Sequence, residues 1–226
     1  MLASTGLDAY ADLLHLGTGA FATTYRVRHR RTGSLFAMKR VACRSVVAAN
    51  AALREVKMLL SCEHPGIVSY RDFFLDEDEA DAEADSGGGR GGGGRGGGRG
   101  GGGASGASSA QLAVCIVMEY CDSGDLWERI VAAQRGELPL PSAVWRPWFV
   151  EMCEALGYLH SREILHRDLK LENILLASDG KGGHHAKLGD FGLALPQLEV
   201  ESDGAGTPDY MAPEVFERGV PLTPHR

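Results

Sequence analysis

The chain has 226 residues, 44% of them hydrophobic, and a formal net charge of -7. That is enough for one domain of ordinary size or two small lobes around a sizeable core, and the negative balance argues against nucleic-acid binding by bulk electrostatics. No apolar stretch is long enough to span a membrane and no signal peptide is visible. Five cysteines (Cys43, Cys62, Cys115, Cys121 and Cys153) lack metal or disulfide spacing, which points to a reducing compartment.

Residues 12–41 alternate in the manner of three strands joined by tight turns. In the first turn, Leu16-Gly17-Thr18-Gly19-Ala20-Phe21-Ala22, the two glycines let backbone N–H groups approach a phosphate closely. Taken alone, such a pair is better read as a plain hairpin turn, and its place before a strand and upstream of Lys39 favours the phosphate-binding reading. Phe36-Ala37-Met38-Lys39 is an apolar strand ending in one lysine, which suits a buried ammonium. Residues 46–61 have helical spacing, with Leu53, Val56 and Leu60 expected on the buried face and Glu55 and Met58 beside them. His64-Pro65-Gly66 stops this helix ahead of a strand running through Phe74. Residues 76–85 are acidic, and residues 86–109 are almost all glycine with Arg90, Arg95 and Arg99. Such a composition cannot bury apolar area and predicts disorder. The Gly-Arg repeats resemble RNA-binding RGG boxes, but without interleaved aromatics a neutral repeat is the better reading.

Residues 112–118 form a continuous apolar strand, followed by Glu119-Tyr120-Cys121, where Cys121 reads as an ordinary rather than a reactive thiol. Ser123-Gly124-Asp125-Leu126 opens a short helix to Arg135. A longer helix over residues 143–162, capped by Ser142, puts Trp145, Phe149, Met152, Leu156 and Leu159 on one core stripe. It leads to His166-Arg167-Asp168-Leu169-Lys170-Leu171-Glu172-Asn173. An acid, a cation two residues on and a carboxamide five residues on are what phosphoryl transfer needs: a proton acceptor, a charge neutraliser and a metal ligand. The apolar run Ile174-Leu175-Leu176 holds that loop rigidly. His184 and His185, in a loop over 180–185, are a weak metal signal because an extended backbone turns them apart. Lys187-Leu188-Gly189-Asp190-Phe191-Gly192 and Gly206-Thr207-Pro208-Asp209-Tyr210-Met211-Ala212-Pro213-Glu214 complete the set.

These motifs, in this order, resemble the eukaryotic protein kinase superfamily over nearly the whole chain except the glycine-rich insertion. Lys170 and Gly206-Thr207-Pro208 are similar to the serine/threonine branch. Met118-Glu119-Tyr120-Cys121, Gly124-Asp125-Leu126 and Lys187-Leu188-Gly189-Asp190 are most similar to NIMA-related kinases. The resemblance implies an α+β, two-lobed fold. An N-lobe of antiparallel sheet and one helix would span 1–120, with the insertion at 76–110, and a mainly helical C-lobe would span 121–226. It also implies ATP-dependent phosphorylation of serine or threonine in a protein substrate. Asp168 would be the base. Lys170, Lys39 and its ion-pair partner Glu55 would handle phosphates, and Asn173 and Asp190 would hold Mg²⁺. Gly17, Thr18, Gly19, Ala20 and Phe21 would cover the phosphates, although Ala22 stands where the family has a third glycine. Ala37, the gatekeeper Met118, Glu119 and Cys121 would enclose adenine, with Asp125 at the ribose. Thr207 would contact the catalytic acid and lysine, and Arg167 would dock a phosphate carried by Ser202. Tyr70, Leu59, Phe191 and His166 would form a spine between the lobes. Family members continue past the Ala-Pro-Glu with further helices, so an incomplete C-lobe is expected, either a fragment or one completed by a partner chain. The alternative function is a nucleotide-binding scaffold or inactive fragment regulating a partner kinase. Expected partners are ATP and a protein substrate, with no membrane or nucleic acid. The expected location is the cytoplasm, with nuclear or cytoskeletal association as variants.

Overall fold

The computed structural model describes residues 6–19, 22–78, 111–199 and 204–216. The expectations for Ala20, Phe21, Ser202 and most of the insertion therefore lie outside the described residues.

Five strands make one antiparallel sheet: β1 (Tyr10–Thr18), β2 (Ala22–His29), β3 (Leu35–Cys43), β4 (Tyr70–Asp78) and β5 (Gln111–Glu119). Their order is β1-β2-β3-β5-β4. Alternation along the strands divides their side chains between two faces. Val27, Met38, Phe74, Cys115 and Val117 join Tyr10 in one cluster. Val41, Val114 and Ile116 belong to the larger core shared with helix α1 (Val46–Ser61). The β4–β5 hairpin is in register to its end, with Asp78 opposite Gln111.

Helix α1 starts at Ser45, whose side chain accepts the Ala48 N–H at 3.1 Å and so satisfies one of the free donors of the first turn. Its buried residues are Ala52, Glu55, Val56, Met58 and Leu59, whereas Leu53 and Leu60 are 44% and 58% exposed. The expected apolar face is thus corrected: the stripe is turned to put a carboxylate, Glu55, against the sheet. That burial is tolerable because Lys39 arrives from β3 to pair with it.

The second half of the chain contains α2 (Leu126–Gln134), α3 (Ser142–Ser161) and, among the described residues, two short strand pairings. Strand β6 (Ile164–Leu165) pairs with β9 (Leu195–Pro196), and β7 (Ile174–Ser178) pairs with β8 (His184–Leu188). Ser142 is the first residue of α3, and the cap position is Pro141, which offers no side-chain bond. The core stripe of α3 is Trp148, Met152, Ala155 and Leu159, while Trp145 and Phe149 are 41% and 64% exposed. Leu156 packs partly buried against the core. The helix is rotated relative to expectation because the Trp148 indole N–H donates to the His184 carbonyl of β8 at 2.9 Å. A buried indole needs such an acceptor, whereas the Trp145 indole is 41% exposed and can donate to water, and Phe149 has no side-chain donor. The two histidines fall within β8 rather than in a loop, and both lean on α3. His185 Nδ1 is 2.6 Å from Glu151 Oε1, and the His184 ring sits edge-on to Trp148. Among the described residues no three metal-ligating side chains gather, and no helix is long and apolar enough to cross a membrane.

Leu59, Phe191 and His166 are buried and Tyr70 is partly buried against the same core. The His166 and Phe191 rings meet edge-on at 5.0 Å. The His166 Nε2–H donates to the Gly189 carbonyl at 2.9 Å. Burial pushes the His166 pKa below the ordinary histidine value.

Candidate active site

A cleft of about 430 Å³ opens between the sheet and the second half of the chain, within the size range of small-molecule sites. Its roof comes from β1 and β3 through Leu16, Gly17, Ala37 and Lys39. Its back edge is Met118 to Cys121, and its floor includes Asn173, Leu175, Gly189 and Asp190. A Cβ built on Gly17 meets nothing within 4 Å, so the missing side chain leaves open space there. Gly19 N–H donates to the Ala22 carbonyl at 2.8 Å, closing the turn, and the Thr18 hydroxyl is 2.8 Å from His15 Nε2. Thr18 and Gly19 do not line the cleft as it stands.

Three charges meet at the inner end. The Lys39 ammonium contacts Glu55 Oε1 at 2.8 Å, Glu55 Oε2 at 3.0 Å and Asp190 Oδ1 at 2.7 Å. Burial disfavours the charged ammonium, but two carboxylates overcome it and hold the Lys39 pKa above its ordinary value. Asp190 sits at φ 55, a conformation uncommon for an aspartate, and the following Phe191 is fully buried beneath it. Burial acts to raise the Asp190 carboxyl, and Lys39 more than offsets this, so the group is held below the usual range.

A second cluster surrounds Asp168. Its Oδ1 accepts the Thr207 hydroxyl at 2.6 Å, and its Oδ2 accepts Asn173 Nδ2 at 2.9 Å and pairs with Lys170 Nζ at 2.8 Å. Lys170 also donates to Thr207 Oγ1 at 3.2 Å, and Asn173 Nδ2 to the Asp168 carbonyl at 2.8 Å. Burial would raise this carboxyl, but hydrogen bonds from Lys170, Thr207 and Asn173 outweigh it and hold the pKa below the ordinary value. Asp168 is therefore ionised at neutral pH. The two clusters adjoin through Asn173, which lines the cleft and touches Asp168. With its Nδ2 turned to Asp168, the carboxamide keeps its oxygen for another partner. Arg167, ahead of Asp168, is at φ 69 and partly buried.

Two expected nucleotide contacts are modified by local structure. Asp125 lines the cleft, but its Oδ1 caps α2 by accepting the Glu128 N–H at 2.8 Å. Cys121 lines it as well, and burial, reinforced by Glu119, pushes its thiol up to about 12, in keeping with an unreactive sulfur. Leu16, Leu175 and Gly189 were not singled out from the sequence. The signal for Leu175 was alternation: Ile174 and Leu176 are buried on one side of β7, so Leu175 must face the other way.

Comparison with known proteins agrees with this geometry. The family model described as protein kinase domain matches residues 10–225. The chain is similar to the serine/threonine-protein kinase Nek6 of Oryza sativa subsp. japonica, at 34% identity over 93% of this chain and 33% of the relative. It is similar to Nek1 of Mus musculus at 31% over 93% of this chain and 15% of the relative. The cAMP-dependent protein kinase type 3 of Saccharomyces cerevisiae is 31% identical over 92% of this chain and 43% of its own length. The chain thus spans well under half the length of each of these relatives.

Proposed function

Because the chain belongs to the protein kinase family, we propose that it transfers the γ-phosphate of ATP to serine or threonine hydroxyls of a protein substrate. The observation that carries this reading is the Asp168 cluster: a carboxylate held ionised, aligned by three donors and adjoining a cleft that contains the Lys39–Glu55–Asp190 triad. Loose phosphoryl-transfer transition states need positioning and charge compensation more than covalent chemistry. In this reading Asp168 orients the substrate hydroxyl and receives its proton. Lys170 compensates charge on the moving phosphoryl group, and Lys39, steadied by Glu55, contacts the α- and β-phosphates. Ala37, Met118 and the backbone of Glu119 and Cys121 receive the adenine. The Asp190 carboxylate and the Asn173 carboxamide oxygen are hard oxygen donors of the type Mg²⁺ prefers, and these two residues would hold it. The ion would supply charge neutralisation across the phosphates. Thr207 steadies Asp168 from the opposite side. The serine/threonine preference is supported by Lys170 bridging Asp168 and Thr207 and by the relatives' names.

The test is Mg·ATP-dependent phosphorylation of a generic protein substrate. Asp168→Asn should lower turnover by about 10²–10⁴-fold with nucleotide binding retained, and Lys39→Met should weaken the Mg·ATP response in calorimetry. Turnover that survives Asp168→Asn, or folded protein without any Mg·ATP response, would overturn the reading.

A further inference from the structure

Lys187 lies on β8, three residues before Asp190, and belongs to neither charge cluster. Its ammonium is 3.1 Å from Glu119 Oε1 and donates to the Pro65 carbonyl at 2.9 Å. Both side chains are largely shielded, at 14% and 25% exposure. The other Glu119 oxygen accepts the Ser69 N–H at 3.2 Å, and the Glu119 N–H donates to the Ser69 carbonyl at 2.9 Å. Around them, backbone bonds run from Leu188 N–H to Gly66 O (2.8 Å) and from Val68 N–H to Leu188 O (3.0 Å).

One ion pair therefore joins three segments: the end of β5, the connection from α1 to β4, and the strand that delivers Asp190. Two of those segments are walls of the cleft, since Glu119 lines its back edge and Gly189 and Asp190 its floor. The backbone bonds fix β8 to the α1–β4 connection, and the side-chain pair carries the link on to the β5 end.

We propose that Lys187 and Glu119 are a positioning pair that fixes the spacing between the two walls and so pre-organises the cleft for ATP, a role that rests on the kinase reading. Neither charged group needs to touch the reacting atoms. The physical argument is pre-organisation: a wall that is free to drift must be ordered when ligand binds, and the cost appears as lost affinity. Removing one partner also leaves the other charge shielded and poorly compensated, which drives local rearrangement rather than passive loss of a contact.

The experiment uses the full chain with Lys187→Met, which keeps the apolar stem, Glu119→Gln, the double variant, and Lys187→Arg. Mg·ATP affinity by calorimetry, and KM for ATP in the phosphotransfer assay, should worsen about tenfold in each of the first two. The double variant should be no worse than either single, and Lys187→Arg should recover most of the loss. Because Asp168, Lys170 and Thr207 are untouched, kcat should move much less than KM. A merely structural pair would instead lower the active fraction, and with it kcat, at constant KM, and that result overturns the proposal. Additive losses overturn it too, as does unchanged or tighter ATP binding in the Lys187→Met variant. A parent chain that binds no Mg·ATP overturns the kinase reading and the positioning role together. Hydrogen exchange separates the two failures without nucleotide: the amides of residues 66–69 and 119–121 should exchange faster in Lys187→Met than in the parent, and unchanged exchange removes the clamp itself.

Discussion

Gly206 offers a sharp test of how the Asp168 cluster is held. It sits at φ 129, and a Cβ built there would lie 2.6 Å from the carbonyl oxygen of Arg167 and 3.2 Å from Met211 Cε. The methionine tip can swing away, but the carbonyl cannot: it is main chain, on a residue at φ 69, immediately before Asp168. In Gly206→Ala the segment must retreat about 0.8 Å to reach ordinary contact, and the φ itself costs a further 1–3 kcal/mol or so. The retreat carries Thr207 with it and stretches its 2.6 Å bond to Asp168 to about 3.4 Å, beyond useful hydrogen-bond length. A displacement of about 1 Å at a reacting centre costs on the order of a hundredfold in rate, so kcat at saturating Mg·ATP and substrate should fall roughly that much. The matched control is Gly204→Ala. Gly204 is at φ 69, but a Cβ there meets nothing within 4 Å, so this variant suffers the strain without the collision and should keep kcat within a few-fold. Melting temperatures of both variants should fall by several degrees, at about 2–4 °C per kcal/mol of strain, so the difference in kcat between them reads the collision rather than the strain. A Gly206→Ala chain with parental kcat, or a Gly204→Ala chain equally impaired, would refute the steric argument.

Cys121, with its thiol at about 12, should alkylate with iodoacetamide at pH 8 about 10³-fold more slowly than a free cysteine, by thiolate fraction; peptide mapping showing comparable rates would contradict its burial. His166 has a folded-state pKa below its unfolded value of about 6.5, so the unfolded chain binds the proton more readily. Its contribution is complete above that value and declines as pH falls toward the folded pKa, with a slope of up to about 1.4 kcal/mol per pH unit. Denaturant titrations between pH 7.5 and 5 should show that decline, and His166→Asn should flatten it.

The sequence and the structure part company where tertiary partners override local pattern. The β-strands were legible because alternation and turn residues are local, and the Lys39, Asp168 and Asp190 motifs were legible because spacing within a loop is local. On α1, hydropathy favoured Leu53 and Leu60, yet the buried stripe runs through Glu55, which becomes a core residue only once Lys39 supplies the counter-charge from another element. On α3, the three aromatic residues of the first two turns fall within an arc of about 100°. The choice among Trp145, Trp148 and Phe149 was made by an acceptor on β8, 36 residues away in sequence from Trp148. Lys187 looked like a motif flank, and its partners Glu119 and Pro65 lie 68 and 122 residues distant. For Trp148 and Lys187 the residue type was visible and its partner was not, whereas the Lys39–Glu55 pairing was expected and only its depth in the core was missed.

The register of the β4–β5 hairpin has a practical consequence. Asp78 and Gln111 stand opposite one another as strand partners, so the chain departs from the sheet and returns to it at adjoining points, on the edge strand β4 and its neighbour. Whatever sequence is spliced there meets the same two anchor points, and the closure cost of a longer splice rises only by about 0.6 kcal/mol per doubling of length. That makes the hairpin tip a natural port for genetic cargo. A fluorescent reporter, an affinity handle or a short two-residue turn could be exchanged there without asking the catalytic groups to move, and lineages carrying this gene could lengthen or shorten the stretch under little selective penalty.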